Sequence, residues 1–256
     1  MTSLIKRLRY HNSKKTFRKY LTNTIFRKSK SIHLPEKNPY IQIDECESIG
    51  NYPIDIYYKH DVSSIKCVIL PNSIKEIDRK AFLNCMGLKN INIPKGVKKI
   101  KDDAFAYCHA LRYITIPFGV ENIGESVFYK CVSLTSVYIP DSVTTLGFCV
   151  FCKCSNLLNV NIPKKLDIIQ VNTFKDCEKL ASITIPESVR IIDYQAFENC
   201  TGLFNVKISK FCKDIRNCAF TNCSIVSSII ISRKCRKNIT NIFRGVDLSK
   251  TSISYI

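Results

Sequence analysis

The sequence predicts an α/β repeat solenoid, mostly β, and three observations support this fold class. A phenylalanine recurs every 23 residues, at Phe82, Phe105, Phe128, Phe151, Phe174, Phe197, Phe220 and Phe243. Seven of these phenylalanines are followed, three residues later, by a cysteine, from Cys85 to Cys223. Six prolines have the same spacing, from Pro71 to Pro186. Repetition at a fixed period of roughly 20–50 residues indicates stacked units rather than a globular domain.

Each 23-residue unit contains three segments that we expect to form one coil. An alternating segment such as Ile114-Thr115-Ile116 predicts a short strand with its apolar side chains facing inward. Proline then ends the strand because it has no amide hydrogen to donate. A V-x-x-I segment predicts a second short strand or turn. The spacing in A-F-x-x-C-x-x-L predicts a single helical or 3₁₀ turn, and stacking of the coils buries their shared apolar side.

The repeat motif resembles that of a known family. I-P-x-x-V-x-x-I-G-x-x-A-F-x-x-C-x-x-L is the signature of the BspA-like leucine-rich repeats, and Ile116–Leu134 reproduces it with Val127 at the alanine position. The resemblance covers about residues 65–243 and implies a leucine-rich repeat array. It also implies a surface or secreted protein of bacteria or anaerobic protists, a class in which some members mediate adhesion or bind host proteins.

The repeat divides the chain into four regions. We expect a basic arm, helical or disordered, over residues 1–30, an irregular N-terminal cap over 31–64, the repeat array over 65–243 and a C-terminal cap or tail over 244–256. In the N-terminal cap, Ile32-x-Leu34-Pro35 is interpreted as a strand end, with an insertion around Gly50–Pro53. The segment Thr251–Ile256 is interpreted as a last strand.

Fourteen cysteines raise the question of disulfides. Half of them belong to the repeat column, where a cysteine acts as a small hydrophobic residue. We therefore predict buried free thiols there, and a ladder of disulfides between coils is the alternative. Cys149-x-x-Cys152-x-Cys154 is the one cysteine cluster, but Cys154 belongs to the buried column, which argues against a zinc site.

The net charge of +18 and the acid-free residues 1–30, which carry ten Lys or Arg, suggest three roles for the basic arm. It is a solvated arm or a helix that caps the first coil, an attachment to anionic lipid or nucleic acid, or a targeting segment. No apolar signal-peptide core or membrane-spanning run is present. This absence predicts a cytoplasmic chain, whereas the family resemblance implies the cell surface, and both stay open.

The outward positions of the predicted first strands are the candidate functional site. They form two columns of sixteen residues with one charge, although 23% of the chain is charged. Asn, Ser and Thr simply suit an exposed strand, but tyrosines one coil apart also favour protein recognition. The candidate binding residues are Asn90, Asn92, Arg112, Tyr113, Thr115, Ser136, Tyr138, Asn159, Asn161, Ser182 and Thr184.

We find no motif for catalysis, cofactor binding or metal binding. The four histidines are far apart, and the sequence has no glycine-rich phosphate loop, nucleophile elbow or paired carboxylates. The sequence therefore predicts a monomeric, non-enzymatic module that binds a protein ligand through its strand face and needs no cofactor. The alternative function is peripheral binding to membranes or nucleic acid through residues 1–30.

Overall fold

The computed structural model describes residues 65–256 in full, together with the backbones of three short strands before residue 50. Over this part of the chain the protein is a parallel β solenoid of about eight turns with a repeat of about 23 residues and little helix, which confirms the predicted fold class. The prediction for residues 1–30 lies outside the described residues.

One column of strands, which we call the front sheet, contains the first strand of each coil. The strands are β1 (Ile32–His33), β2 (Tyr40–Ile43), β4 (Cys67–Ile69), β6 (Asn90–Asn92), β8 (Tyr113–Thr115), β10 (Ser136–Tyr138), β12 (Asn159–Val160), β14 (Ser182–Ile185), β16 (Asn205–Ile208), β18 (Ser228–Ile231) and β19 (Ser252–Tyr255). Paired neighbours are parallel, except that β1 pairs with β2 antiparallel. The described ladder forms three blocks, with interruptions between β6 and β8 and between β12 and β14.

A second column of two-residue strands forms the back sheet, and it comes from the V-x-x-I segments. Its strands are β3 (Ser48–Ile49), β5 (Glu76–Ile77), β7 (Lys99–Ile100), β9 (Asn122–Ile123), β11 (Thr145–Leu146), β13 (Ile168–Ile169), β15 (Ile191–Ile192) and β17 (Asp214–Ile215). From β5 onward the second residue of each strand is buried, so that one Ile or Leu per coil closes the core from this side.

The third segment of each coil consists of hydrogen-bonded turns, and residues 65–231 contain no helix. The bonds expected of a 3₁₀ turn are present, as in the 3.2 Å bond from Cys108 N–H to Phe105 O. Asp103 and Tyr107, however, have φ values of 56° and 63°, which a helix does not allow. These angles accompany bonds to the next coil, such as Phe105 N–H to Val127 O at 2.9 Å. The backbone therefore bonds across coils where a helix would bond within one.

The centre of the core is a continuous stack of the eight repeat phenylalanines. Adjacent rings have centroid separations between 4.8 Å, for Phe197–Phe220, and 5.6 Å, for Phe105–Phe128, and they are nearly parallel. Phe82 is 6% exposed, and the others are at most 1% exposed. Stacked aromatic pairs contribute about 0.5–1.5 kcal/mol beyond their area burial. The stack therefore couples every coil to its two neighbours.

The cysteine column lies beside this stack, and its side chains are buried thiols outside any disulfide, as predicted. Each thiol from Cys108 to Cys223 donates a hydrogen bond to the carbonyl of the phenylalanine 26 residues earlier, as Cys131 does to Phe105 O at 3.2 Å. Burial raises the pKa of Cys131 and of Cys223 to about 12. The thiols act as apolar fillers that also donate one hydrogen bond between coils.

The first coil differs from the prediction in the position of its strand. Tyr40–Ile43 lies parallel to Cys67–Ile69, and Ile32–His33 forms the antiparallel outer strand. Tyr40 pairs with Cys67, so this coil has 27 residues. The predicted strand end at Ile32-x-Leu34-Pro35 matches the strand Ile32–His33, but the parallel ladder begins at Tyr40–Ile43 instead. The predicted insertion around Gly50–Pro53 lies outside the described residues.

The C-terminal end is covered by irregular elements and one added strand. A 3₁₀ helix at Arg233–Asn238 leads into the single helical turn α1 (Ile239–Ile242), and a second 3₁₀ helix spans Leu248–Lys250. The expected last strand is formed by Ser252–Tyr255, which pairs with Ser228–Ile231. None of the helices in the described residues is long and apolar enough to cross a membrane.

Candidate functional site

The front sheet determines which side chains point to solvent. In the three-residue strands at Asn90–Asn92, Tyr113–Thr115 and Ser136–Tyr138, the middle residue is buried and its two neighbours are exposed. The alternation follows from the two-residue period of a strand, with the isoleucine or valine packed on the core. We call the exposed outward residues of this sheet the front face.

Ten of the eleven candidate binding residues are exposed on the front face or at its edge. They are Asn90, Asn92, Arg112, Tyr113, Thr115, Ser136, Tyr138, Asn159, Ser182 and Thr184. The parallel register brings them side by side, since Ser136 pairs with both Tyr113 and Asn159, and Ser182 pairs with Asn205. Exposure makes these residues available to a partner.

Asn161 is the candidate that the structure places differently. Its side chain accepts a hydrogen bond from Ile139 N–H at 2.8 Å and donates one to Ile139 O at 2.7 Å. The strand at Asn159–Val160 ends one residue before it, and the amide group substitutes for the missing ladder bonds. Asn161 is therefore half-buried and hydrogen-bonded to the preceding coil, whereas the other ten candidates are exposed.

Tyr113 and Tyr138 are the most prominent features of the front face. They are 65% and 66% exposed, and their strands are adjacent. Tyr113 lies opposite Ser136 and Tyr138 lies opposite Thr115, so the tyrosines are diagonal neighbours. Strand geometry puts their Cα atoms about 8 Å apart. Two amphipathic rings thus project from the middle block of the front sheet, each surrounded by small hydroxyl side chains.

The edge of the front face changes character along the solenoid. Lys66, Lys89 and Arg112 occupy the position before the strand in successive coils, and none of them forms an ion pair with another described residue. Two and four coils after Arg112, the same position carries Leu158 and Phe204, which are 43% and 42% exposed. Stepping by 23 residues from Lys66 would have identified these apolar edge residues in the sequence.

The side chains of the front face can form hydrogen bonds and apolar contacts. Amide, hydroxyl and phenol groups donate and accept hydrogen bonds, and the aromatic rings supply apolar contact area. Within the described residues, no group of three or more His, Cys, Asp or Glu side chains is arranged to hold a metal ion. Cys149 and Cys152 lie in the turn segment of their coil and belong to neither sheet.

The stacked 23-residue coils, with a parallel strand column on one side and turns on the other, define the class of leucine-rich repeat solenoids. The family model described as the BspA type leucine-rich repeat region matches residues 47–158 and 148–255 and finds six copies. The chain therefore belongs to the BspA type leucine-rich repeat family. A search of curated protein sequences found no match.

Solved structures show the same fold. A leucine-rich repeat protein from Bacteroides ovatus aligns over 90% of this chain and 70% of its own, with 21% identity and a TM-score of 0.63. The leucine-rich repeat protein of T. pallidum aligns over 90% of this chain and 99% of its own, with 23% identity and a TM-score of 0.63. A leucine-rich repeat protein from Eubacterium ventriosum has 15% identity and a TM-score of 0.52, over 91% of this chain and 84% of its own.

Proposed function

We propose that the protein is a non-enzymatic interaction module that binds a protein partner through the front face. The observation that carries this proposal is the pair of exposed tyrosines on adjacent strands, within a face that is nearly free of charge. A buried tyrosine contributes a large contact area at a low entropic cost, and tyrosine is enriched among residues that dominate binding energy. Membership of a repeat family built for protein interaction supports the same function.

The rigidity of the front face supports the proposal. Each strand is hydrogen-bonded within its block, and its inward residue packs on the shared core. Side chains on such a strand are already held in position, so binding orders few additional groups. A second block of polar residues at Ser182 and Thr184 extends the same surface toward the C-terminal coils.

The test is capture by the immobilised full-length chain, with mass spectrometry to identify what is retained. The test variant is Tyr113→Ala with Tyr138→Ala. The control variant is Phe148→Ala with Tyr194→Ala, which removes two exposed rings (44% and 48%) that lie outside the front sheet. We expect the test variant to lose a partner that the parent chain and the control both retain, with an unchanged melting temperature. Retention of every partner by the test variant would refute the proposal.

A further inference from the structure

Cys149 and Cys152 are two thiols outside the core column that the front face does not use. They occupy the ends of one hydrogen-bonded turn, in which Cys152 N–H donates to Cys149 O at 3.1 Å. The first and last Cα atoms of such a turn are within about 7 Å of each other, and disulfides span about 4.4–6.8 Å between Cα atoms. The two thiols are also close enough for each to shift the pKa of the other. The turn therefore holds the two cysteines at a separation that a disulfide can span.

The two thiols differ in access and in acidity. Cys149 is partly exposed, whereas Cys152 is 4% exposed. The hydrogen bond from Cys152, and then one from Asn172, lower the pKa of Cys149 to about 7, while burial and Glu125 oppose the shift and Lys175 favours it. The same thiol–thiol bond raises the pKa of Cys152, and burial raises it further. An accessible, acidic thiol beside a buried thiol is the arrangement that nucleophilic attack followed by resolution requires.

Asn172 of the next coil is the second group that favours the Cys149 thiolate. It is the residue equivalent to Cys149 in the next coil, and its backbone has the same left-handed conformation, with φ of 56°. Its side chain contributes to the lowered pKa of Cys149, and its side-chain oxygen is buried and accepts no hydrogen bond from any described residue. The Asn172 amide therefore favours the Cys149 thiolate while its own oxygen stays unpaired.

We propose that Cys149 and Cys152 form a redox-active dithiol that reacts with small-molecule disulfides and closes an intrachain disulfide. The Cys149 thiolate attacks one sulfur of the small disulfide, whose S–S bond breaks and releases one thiolate. Cys152 then loses its proton and attacks the Cys149 sulfur, which releases the second thiolate and forms the Cys149–Cys152 bond. The protein dithiol loses two electrons and two protons, and the small disulfide is reduced to two thiols. This activity is independent of the front face.

The chain contains its own comparator for this proposal. Cys218 lies at the same position of its coil three repeats later, with φ of 63° against 55° for Cys149. It is also partly exposed, but Thr221 occupies the place of Cys152. The reactivities of Cys149 and Cys218 can therefore be compared in one folded molecule, without a variant. A difference between them reflects Cys152 and the other groups around Cys149.

The first experiment measures alkylation by iodoacetamide between pH 6 and pH 9, residue by residue, using mass spectrometry on the folded full-length chain. At pH 6 a thiol with a pKa near 7 has about 30 times the thiolate fraction of an ordinary thiol, and its lower nucleophilicity reduces the advantage to roughly sixfold. We expect Cys149 to react several times faster than Cys218 at pH 6, and the Cys149 rate should be half-maximal near pH 7. Equal rates with the same pH dependence at the two cysteines would overturn the proposal.

The second experiment treats the folded chain with oxidised glutathione and identifies the products after acid quenching. The parent chain should yield the Cys149–Cys152 disulfide and retain no adduct at Cys149, whereas Cys152→Ala should retain glutathione there. A stable adduct at Cys149 in the parent chain would show that Cys152 does not resolve it and would contradict the proposal. The outcome in the parent chain decides the question even if Cys152→Ala fails to fold.

Discussion

At the scale of single residues, the cysteine column shows how one small side chain serves the core in two ways. The thiol of Cys131 is fully buried among apolar groups, and it donates to the carbonyl of Phe105, which also accepts a bond from Cys108 N–H. The neutral thiol is the form that this environment stabilises, and burial raises the pKa of Cys131 to about 12. Val246 occupies the equivalent position one coil after Cys223, and it contributes apolar packing but no side-chain hydrogen bond.

Alkaline pH should therefore destabilise the fold through this column. An unfolded cysteine ionises near pH 8.5, whereas folded Cys131 stays protonated to about pH 12, so its contribution to stability is complete below pH 8.5 and is lost as the pH rises above it. Between pH 8 and pH 10 this loss is about 2 kcal/mol. Urea unfolding at pH 8 and pH 10 measures this effect. The free energy of unfolding of Cys131→Val should fall by about 2 kcal/mol less over this interval than that of the parent chain. Identical losses in the two proteins would contradict the assignment.

At the scale of elements, the front sheet depends on side chains where its backbone ladder is interrupted. Asn161 bonds both the N–H and the carbonyl of Ile139 and so ends the middle block of the sheet. Asn159, two residues earlier, points to solvent on the front face. Asn161 is therefore structural and Asn159 is exposed, although a single residue separates them.

Removal of these two asparagines should have unequal effects. Asn161→Ala leaves the backbone groups of Ile139 without partners and should lower the free energy of unfolding by about 1–3 kcal/mol. Asn159→Ala is the matched control, and its effect should lie within about 0.5 kcal/mol of zero because the side chain is exposed. Urea denaturation of both variants measures the difference. Equal stability of the two would show that the Asn161 amide does not hold the strand end.

The phenylalanine stack gives a second prediction at this scale. Phe151 contacts a ring on each side, with centroids at 5.4 and 5.5 Å, whereas Phe243 stacks on Phe220 alone at 4.8 Å. Loss of a buried phenylalanine costs about 3–5 kcal/mol. Phe151→Ala should therefore destabilise the protein by about this amount and by more than Phe243→Ala does in urea denaturation. Equal effects would show that the C-terminal elements are not a cap.

The features that could be predicted from the sequence are those that recur in every coil. Each core position occurs seven or eight times at 23-residue spacing, so the buried phenylalanines, the buried thiols and the exposed front face all follow from that spacing. The left-handed backbone at Asp103 and Tyr107 was missed because it depends on bonds to the next coil, and the turn of Asn161 toward Ile139 depends on a neighbour 22 residues away. The first-coil strand at Tyr40 was missed because its 27-residue spacing breaks the period.

At the scale of the whole molecule, the solenoid is a nearly one-dimensional object. Its backbone ladders, ring stack and several ion pairs, such as Lys101 with Asp78 at 2.6 Å, all join residues of adjacent coils. Stability in such an array is approximately a sum of coil and interface terms, and the ends need covering elements. Stacking the coils places their first strands in one row, and the exposed side chains of this row form the front face. Separately, the net charge of +18 favours acidic partners.

The acid-free residues 1–30 give a prediction at this scale. If these ten Lys and Arg attach the protein to anionic lipid or nucleic acid, binding to anionic vesicles or DNA should weaken with salt and vanish when residues 1–30 are deleted. Co-sedimentation with vesicles and an electrophoretic shift with DNA, each at low and high salt, measure this. An absence of binding at low salt would remove this alternative function.

The central claim is that the front face binds a protein partner, and the most direct measurement is the Kd of one purified partner for three proteins. These are the parent chain, Tyr113→Ala with Tyr138→Ala, and the control Phe148→Ala with Tyr194→Ala. Since truncation of a dominant interface residue costs about 2 kcal/mol or more, the front-face variant should bind at least about 30-fold more weakly. The control should bind as the parent chain does. Equal Kd values for all three proteins would contradict the account.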